Sequence, residues 1–302
     1  MKHFYTIMFI VSITVLVASA VALGVYGLNF GVDFRGGSVL EVEFLESRPS
    51  AVATHEALAS RESLKELLVN TSGDTGLVIR SSELSEEDHQ WMLTTLRMMT
   101  GSGKLQELRF DSVGPAIGQE LKSKSITAII VLLVMVMLYI AYMFRTLSRS
   151  LSLLAMSAGT VLGLVHDIII PMGIFAVLGR YVDVQISAIY VAAVLTILGY
   201  TVSDKVVIYD RVRENILRGT KDPLPDIVHR SVMQTLVRSI NNTLVVMLSS
   251  LAVFLYGGDS IRYFALSLML GIGLGAYSSI FVASPLLVWL SGWTKKRRID
   301  RL

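Results

Sequence analysis

Five ionisable residues stand where a chain can least accommodate them. His166 and Asp167 lie in GLVHDIII, Asp204 and Lys205 in TILGYTVSDKVVIYDRVREN, and Arg238 in SVMQTLVRSINNT. The surroundings are apolar enough to lie in a bilayer, where a charge at the centre of a helix costs at least about 2.5 kcal/mol on insertion scales. Such groups are functional candidates by default. A carboxylate held by an arginine stays ionised and can trade that partner for a proton, so Asp204 with Arg238 has the parts of a minimal proton relay. The alternative is structural: Arg238 snorkels to the interface, and Asp204 pairs with Lys205 or Arg211 among wet headgroups. His166 and Asp167 read as a polar gate, since histidine carries protons near neutral pH, or as polar packing at the outer mouth of a helix. Two residues make no metal site, and no H-x-x-H or acidic ligand cluster accompanies them.

The elements that must position these groups follow from hydropathy. The chain has 302 residues, 53% of them hydrophobic and only 17% charged, which points to a membrane protein. Cysteine is absent, which removes disulfides, thiolate metal sites and a cysteine nucleophile. Phe4 to Phe30 carries no charge and exceeds the ~20 residues that cross a bilayer as a helix. Ala18-Ser19-Ala20 mimics a signal-peptide cleavage site, but the apolar run continues past it, so residues 1–30 are expected to be an uncleaved first transmembrane helix. Five further spans are expected at 125–144, 151–170 (running on to 178), 184–209, 235–256 and 263–290. Together they form a membrane part over 125–293, followed by a basic tail at 294–302. The expected depths place Asp204 and Arg238 near the cytoplasmic ends of adjacent antiparallel helices, and His166-Asp167 near an outer end.

Between the first two spans, residues 31–124 have the composition of a soluble domain. Strand-like alternation at Val39–Phe44, Leu77–Ile79 and Lys104–Val113 brackets expected helices at Thr54–Val69 and Glu86–Met99. The order β-α-β-α-β suggests a small α/β domain of ferredoxin-like type. Arginine and lysine gather in the second-to-third connection (Arg145, Arg149), in the fourth-to-fifth (Arg211, Arg213, Arg218, Lys221, Arg230) and in the tail (Lys295 to Arg301). The opposite short loops hold only Arg180 and Arg262. By the positive-inside rule both termini are cytoplasmic and the domain is extracytoplasmic.

Glycines mark two more places. GVDFRGG, with Gly31, Asp33, Arg35, Gly36 and Gly37, reads as a structural joint from helix to strand, because glycine permits φ > 0 and close backbone approach. Direct contact with a transported chain is the alternative. Gly271 and Gly275 give the small-xxx-small spacing that brings membrane helices together. A nucleotide loop is excluded at Gly271–Gly275, which lies inside an apolar span with no following Lys-Ser/Thr. No Ser-His-Asp spacing and no G-x-S-x-G supports a hydrolase, so no enzyme is expected.

GVDFRGG (31–37), VGPAIGQEL (113–121), GLVHD (163–167), GYTVSDKVVIYDRVREN (199–215), SVMQTLVRSINNT (231–243) and GAYSSIFVASPLL (275–287), in this order, resemble the SecF-type members of the SecD/SecF family of the RND superfamily. The resemblance covers nearly the whole chain and implies one six-helix half of an RND-type unit with a single outer domain. It implies no cofactor beyond a proton gradient, with sodium as the alternative coupling ion. The implied setting is the prokaryotic inner membrane and its lipids, and no nucleic acid. The implied partners are a SecD-like subunit, the SecYEG translocon, a YajC-like subunit and an exported polypeptide. On matching positions, Asp204 and Arg238 resemble the family's proton-pathway pair. The family often carries Asn just before that aspartate, and Ser203 stands there in this chain. The implied function is proton-driven promotion of late steps in protein export. An RND-type exporter half for lipid or small hydrophobic molecules is the alternative, and a scaffold without transport is the third reading.

Overall fold

A computed structural model describes residues 2–100, 104–145, 153–219 and 222–299. The side chains of the basic run at 295–301, with those of Arg149 and Lys221, lie outside the described residues. The chain divides into two compact units, one comprising residues 1–29 with 127–302 and the other residues 30–126.

In chain order the elements are α1 (Lys2–Tyr26), α2 (Val32–Arg35), β1 (Gly37–Phe44), α3 (Ala51–Leu58), β2 (Leu68–Ser72), β3 (Gly76–Ser81), α4 (Glu86–Met99), β4 (Leu105–Val113), α5 (Pro115–Met143), α6 (Leu153–Tyr181), α7 (Ala188–Leu217), α8 (Leu224–Tyr256), α9 (Asp259–Ser278) and α10 (Ser284–Ile299). A π-helical turn, Ser279–Ala283, joins α9 to α10.

The smaller unit is a four-stranded antiparallel sheet in the order β2-β3-β1-β4. With α3 and α4 the succession is β-α-β-β-α-β, the ferredoxin-like arrangement. Alternating residues of the two central strands supply Leu40, Val42, Phe44, Leu77 and Ile79 to the core, and the helical side supplies Leu58, Leu64, Met92, Leu93 and Leu96. Strand β2 corrects the expected helix at 54–69. The helix ends at Leu58, a 3-10 turn occupies Glu62–Leu64, and Leu68–Ser72 pairs with β3 across a turn in which Gly73 takes φ +57°. As an edge strand, β2 buries none of its residues fully, so it lacks the alternation by which a strand is read. Both helices begin at serine caps: Ser50 Oγ accepts from Ala53 N at 3.1 Å, and Ser85 Oγ from Asp88 N at 3.2 Å. Ser85→Ala should therefore destabilise the unit by about 1 kcal/mol, measured as a lower denaturation midpoint.

Among the described residues six helices are long and apolar enough to cross a membrane, the sixth being α9, the π turn and the first part of α10. Helices α6 and α7 carry the longest buried stripes. On α7 the stripe runs through Ala193, Ile197, Thr201, Asp204-Lys205, Ile208, Val212 and Asn215, a helical period with both charges in it.

Candidate intramembrane charge site

The ionisable residues lie farther inside their helices than the hydropathy boundaries suggested. Helix α7 runs thirteen residues beyond Asp204 to Leu217, roughly 20 Å at 1.5 Å per residue. Helix α8 begins fourteen residues before Arg238, at Leu224. His166 and Asp167 sit at the middle of α6, not near its outer end. The expected boundaries fell short for identifiable reasons. Polar turns at the end of α7 and the start of α8 are helical but not apolar, and Pro171, which suggests a stop, lies inside α6. Membrane helices accept such a proline because neighbours satisfy the freed backbone groups.

At that depth Asp204 and Lys205 point to different neighbours, as consecutive helical residues about 100° apart must. Asp204 Oδ1 accepts a hydrogen bond from Ser239 Oγ on α8 at 3.1 Å. Its Oδ2 is buried and has no hydrogen-bond partner among the described residues. Arg238, one residue before Ser239, is at the same level but exposed, and no ion pair joins it to Asp204. The contact that sequence depth suggested is thus made by its neighbour, Ser239.

Lys205 is fully buried. Its Nζ donates to Asp167 Oδ2 at 2.8 Å and to Ser278 Oγ at 3.0 Å, which ties α7 to α6 and α9. Asp167 is also fully buried, and its Oδ1 lies 3.1 Å from His166 Nδ1. An ionised Asp167 can only accept, so the hydrogen of this bond sits on Nδ1. The Nε2 of His166 is buried without a partner among the described residues. The pairing of Asp167 with Lys205 escaped sequence reasoning, which considered Lys205 only as a partner for Asp204.

Glycines make room for this cluster. An ideal Cβ at Gly163 would lie 2.7 Å from Lys205 Cε, and one at Gly275 would lie 1.9 Å from Thr201 Cγ2 and 3.6 Å from Asp167 Oδ2. At Gly271 the Cβ would meet Ile197 Cδ1 at 2.3 Å. The spacing Gly159–Gly163 in α6 is the same small-xxx-small signal as Gly271–Gly275 and could have pointed to the lysine's track. Just beyond, the π turn leaves the Ala283 carbonyl free to accept from Tyr209 Oη at 3.3 Å. Such turns are frequent at functional sites.

In the smaller unit, GVDFRGG forms the helical turn α2 followed by two glycines with positive φ, Gly36 at +82° and Gly37 at +117°. Phe34 is buried and meets Phe30 edge to face, the centroids 5.6 Å apart, while Arg35 is exposed. The turn packs on the start of α5: an ideal Cβ at Gly36 would lie 2.7 Å from Pro115 Cα, and one at Gly118 would lie 3.1 Å from Gly36 N.

Residues 94–293 match the family model "Protein export membrane protein SecD/SecF, C-terminal", and residues 21–44 match "SecD/SecF GG Motif". The chain belongs to the SecD/SecF family. The protein translocase subunit SecF of Thermobaculum terrenum is 33% identical over 298 residues, covering 95% of this chain and 92% of that protein. The SecF of Rickettsia rickettsii is likewise 33% identical, over 99% of this chain and 94% of its own. The SecDF of Brucella abortus is 35% identical over 87% of this chain but only 33% of its own length. A crystal structure of SecDF from Thermus thermophilus superposes with a TM-score of 0.79 at 29% identity, over 96% of this chain. This chain spans only 38% of that one. Within the SecD/SecF family the chain is therefore of SecF type, a six-span membrane protein of a protein-export family and not an enzyme.

Proposed function

We propose that the chain is the SecF half of a SecD–SecF unit that uses the proton-motive force to promote late steps of protein export through the Sec translocon. Asp204 is the proton carrier. The observation that carries this reading is its carboxylate at mid-helix, buried, with Oδ2 open and no cation bonded to it. Arg238, level with it on an exposed face of α8, is the counter-charge that completes the pathway as the helices move. His166 and Asp167 act as a polar gate, the GVDFRGG turn is the joint between helix and strand, and Gly271 and Gly275 hold the last span against α7. The coupling ion is taken to be the proton, and sodium is the alternative that the test must exclude.

A SecD-like subunit covers the face of α8 that carries Arg238. SecDF proteins, in which both names are joined in one chain, support that pairing. SecYEG, a YajC-like subunit, the exported polypeptide and membrane lipid are the further partners. Both termini are cytoplasmic and residues 31–124 extracytoplasmic, as the distribution of arginine and lysine favours. Export into membrane vesicles that contain a matching SecD, with and without a proton gradient, tests the reading. Asp204→Asn should abolish gradient stimulation while protein level and SecD association persist. Undiminished stimulation would show Asp204 to be structural.

A further inference from the structure

Two oppositely charged side chains, each fully buried, form an ion pair on the opposite shoulder of α7 from the proposed proton carrier. Lys205 reaches Asp167 on α6 and Ser278 on α9, whereas Asp204 bonds Ser239 on α8. Between these shoulders the stripe on α7 faces α9, where Thr201 and Ile197 occupy the space left by Gly275 and Gly271. The rotation of α7 is therefore set at three points. A helix turned by even one residue's angle would break the Lys205 contacts and drive Thr201 off its glycine.

Desolvating both ions is costly, and a well-packed apolar pair in the same volume is often as stable or more so. Stability alone thus gives weak reason for Asp167 and Lys205. Their position gives a better one. The charged and titratable groups acting on Asp204 are Tyr200 and Lys205 on α7 and Arg238 on α8. Helix α9 offers none but tyrosines between Tyr263 and Ser278, and on α6 the groups are His166 and Asp167 themselves. Lys205, adjacent in the chain, is the cation whose place is fixed, since Arg238 is exposed and unbonded to Asp204.

We propose that Asp167 and Lys205 are positioning residues for Asp204: anchored to α6 and α9, Lys205 fixes the face that α7 turns to α8, and with it the place of the carboxylate. Asp167 keeps the lysine on its own side of the helix, and His166 orients Asp167 through Nδ1. The proposal deepens the reading of Asp204 as proton carrier and rests on it for its functional meaning.

The test uses a hydrophobic carbodiimide, which modifies protonated buried carboxyls, on the full chain in membrane vesicles across a pH series. Labelling is quantified on the peptide that contains Asp204. In Asp167→Leu/Lys205→Met, the apolar replacement of the whole pair, the chain should accumulate normally while the pH profile of labelling at Asp204 departs from that of the native chain. Lys205→Arg, which keeps the charge, should leave the profile near that of the native chain. Should the apolar pair fail to accumulate, Asp167→Asn/Lys205→Gln removes both charges, keeps hydrogen bonding and is read in the same way. A native profile in the neutralised double variant would overturn the proposal and leave the pair as packing only. So would the absence of pH-dependent labelling at Asp204 in the native chain. Because labelling is independent of export, a labelling shift together with unimpaired export in Asp204→Asn would sustain the positioning role and reject the coupling role.

Discussion

Asp167→Asn is expected to destabilise the helical unit by about 3–5 kcal/mol, the cost of leaving a buried charge without its partner. The change is nearly isosteric, so the effect isolates charge from packing. Lys205 would keep Ser278 and the amide oxygen but lose its bonded anion, in a position where the side chain is fully buried. Lys205→Met should cost less. The carboxylate it strands still accepts from His166 Nδ1. The two single costs should exceed that of the double apolar replacement, because each single change leaves the other charge unmatched. Thermal denaturation of the purified protein, compared across the two single variants and the double, measures the coupling. Equal and additive losses would mean that the ion pair is not the unit of stability.

The second large effect is expected at the double glycine. Gly36 has φ +82° and ψ 164°, a region that is essentially closed to other residues. Its Cβ would also collide with backbone of Pro115 at 2.7 Å, and that of Gly37 with the Ser81 carbonyl oxygen at 2.7 Å. Neither obstacle is a flexible side chain that could swing aside. Gly36→Ala and Gly37→Ala should therefore each cost at least ~3 kcal/mol, strain and collision combined. Gly73→Ala is the control. It too has positive φ, +57°, but nothing lies within 4 Å of its ideal Cβ, so conformational strain alone, about 1–2 kcal/mol, is expected. Resistance of the unit spanning residues 30–126 to added protease, in the full chain, would rank the three. A Gly36→Ala chain as resistant as Gly73→Ala would contradict the close packing of the turn on α5.

Much of the architecture was legible before any coordinates, because its signals are local. Long apolar runs and the alternation in β1 and β4 each speak through neighbouring residues. Strand β2 was not legible, since an edge strand with exposed side chains is specified by the hydrogen bonds it borrows from β3 and not by its own pattern. Hydropathy likewise sees where a helix stops being apolar rather than where it stops being a helix. Hence Asp204 and Arg238 read as lying near helix ends, though α7 and α8 extend as polar turns beyond the apolar runs. The charged residues themselves stood out in the sequence, but their partners did not. Which shoulder of α7 faces which neighbour depends on the packing of three helices, and Ser239, Ser278 and Gly163 become meaningful only once that packing is known.

The π turn at Ser279–Ala283 gives the last span two phases. Before it, Gly271 and Gly275 are keyed to Ile197 and Thr201 on α7; after it, Leu286 and the Ala283 carbonyl flank Gly159 on α6. One extra residue in a single turn shifts the facing of everything downstream by about 100°. The span thus behaves as two keys cut on one shaft, each fitting a different lock. The segments on either side of the turn are fixed in angle as well as in composition, and the length of this segment is as much a specified quantity as any side chain in it.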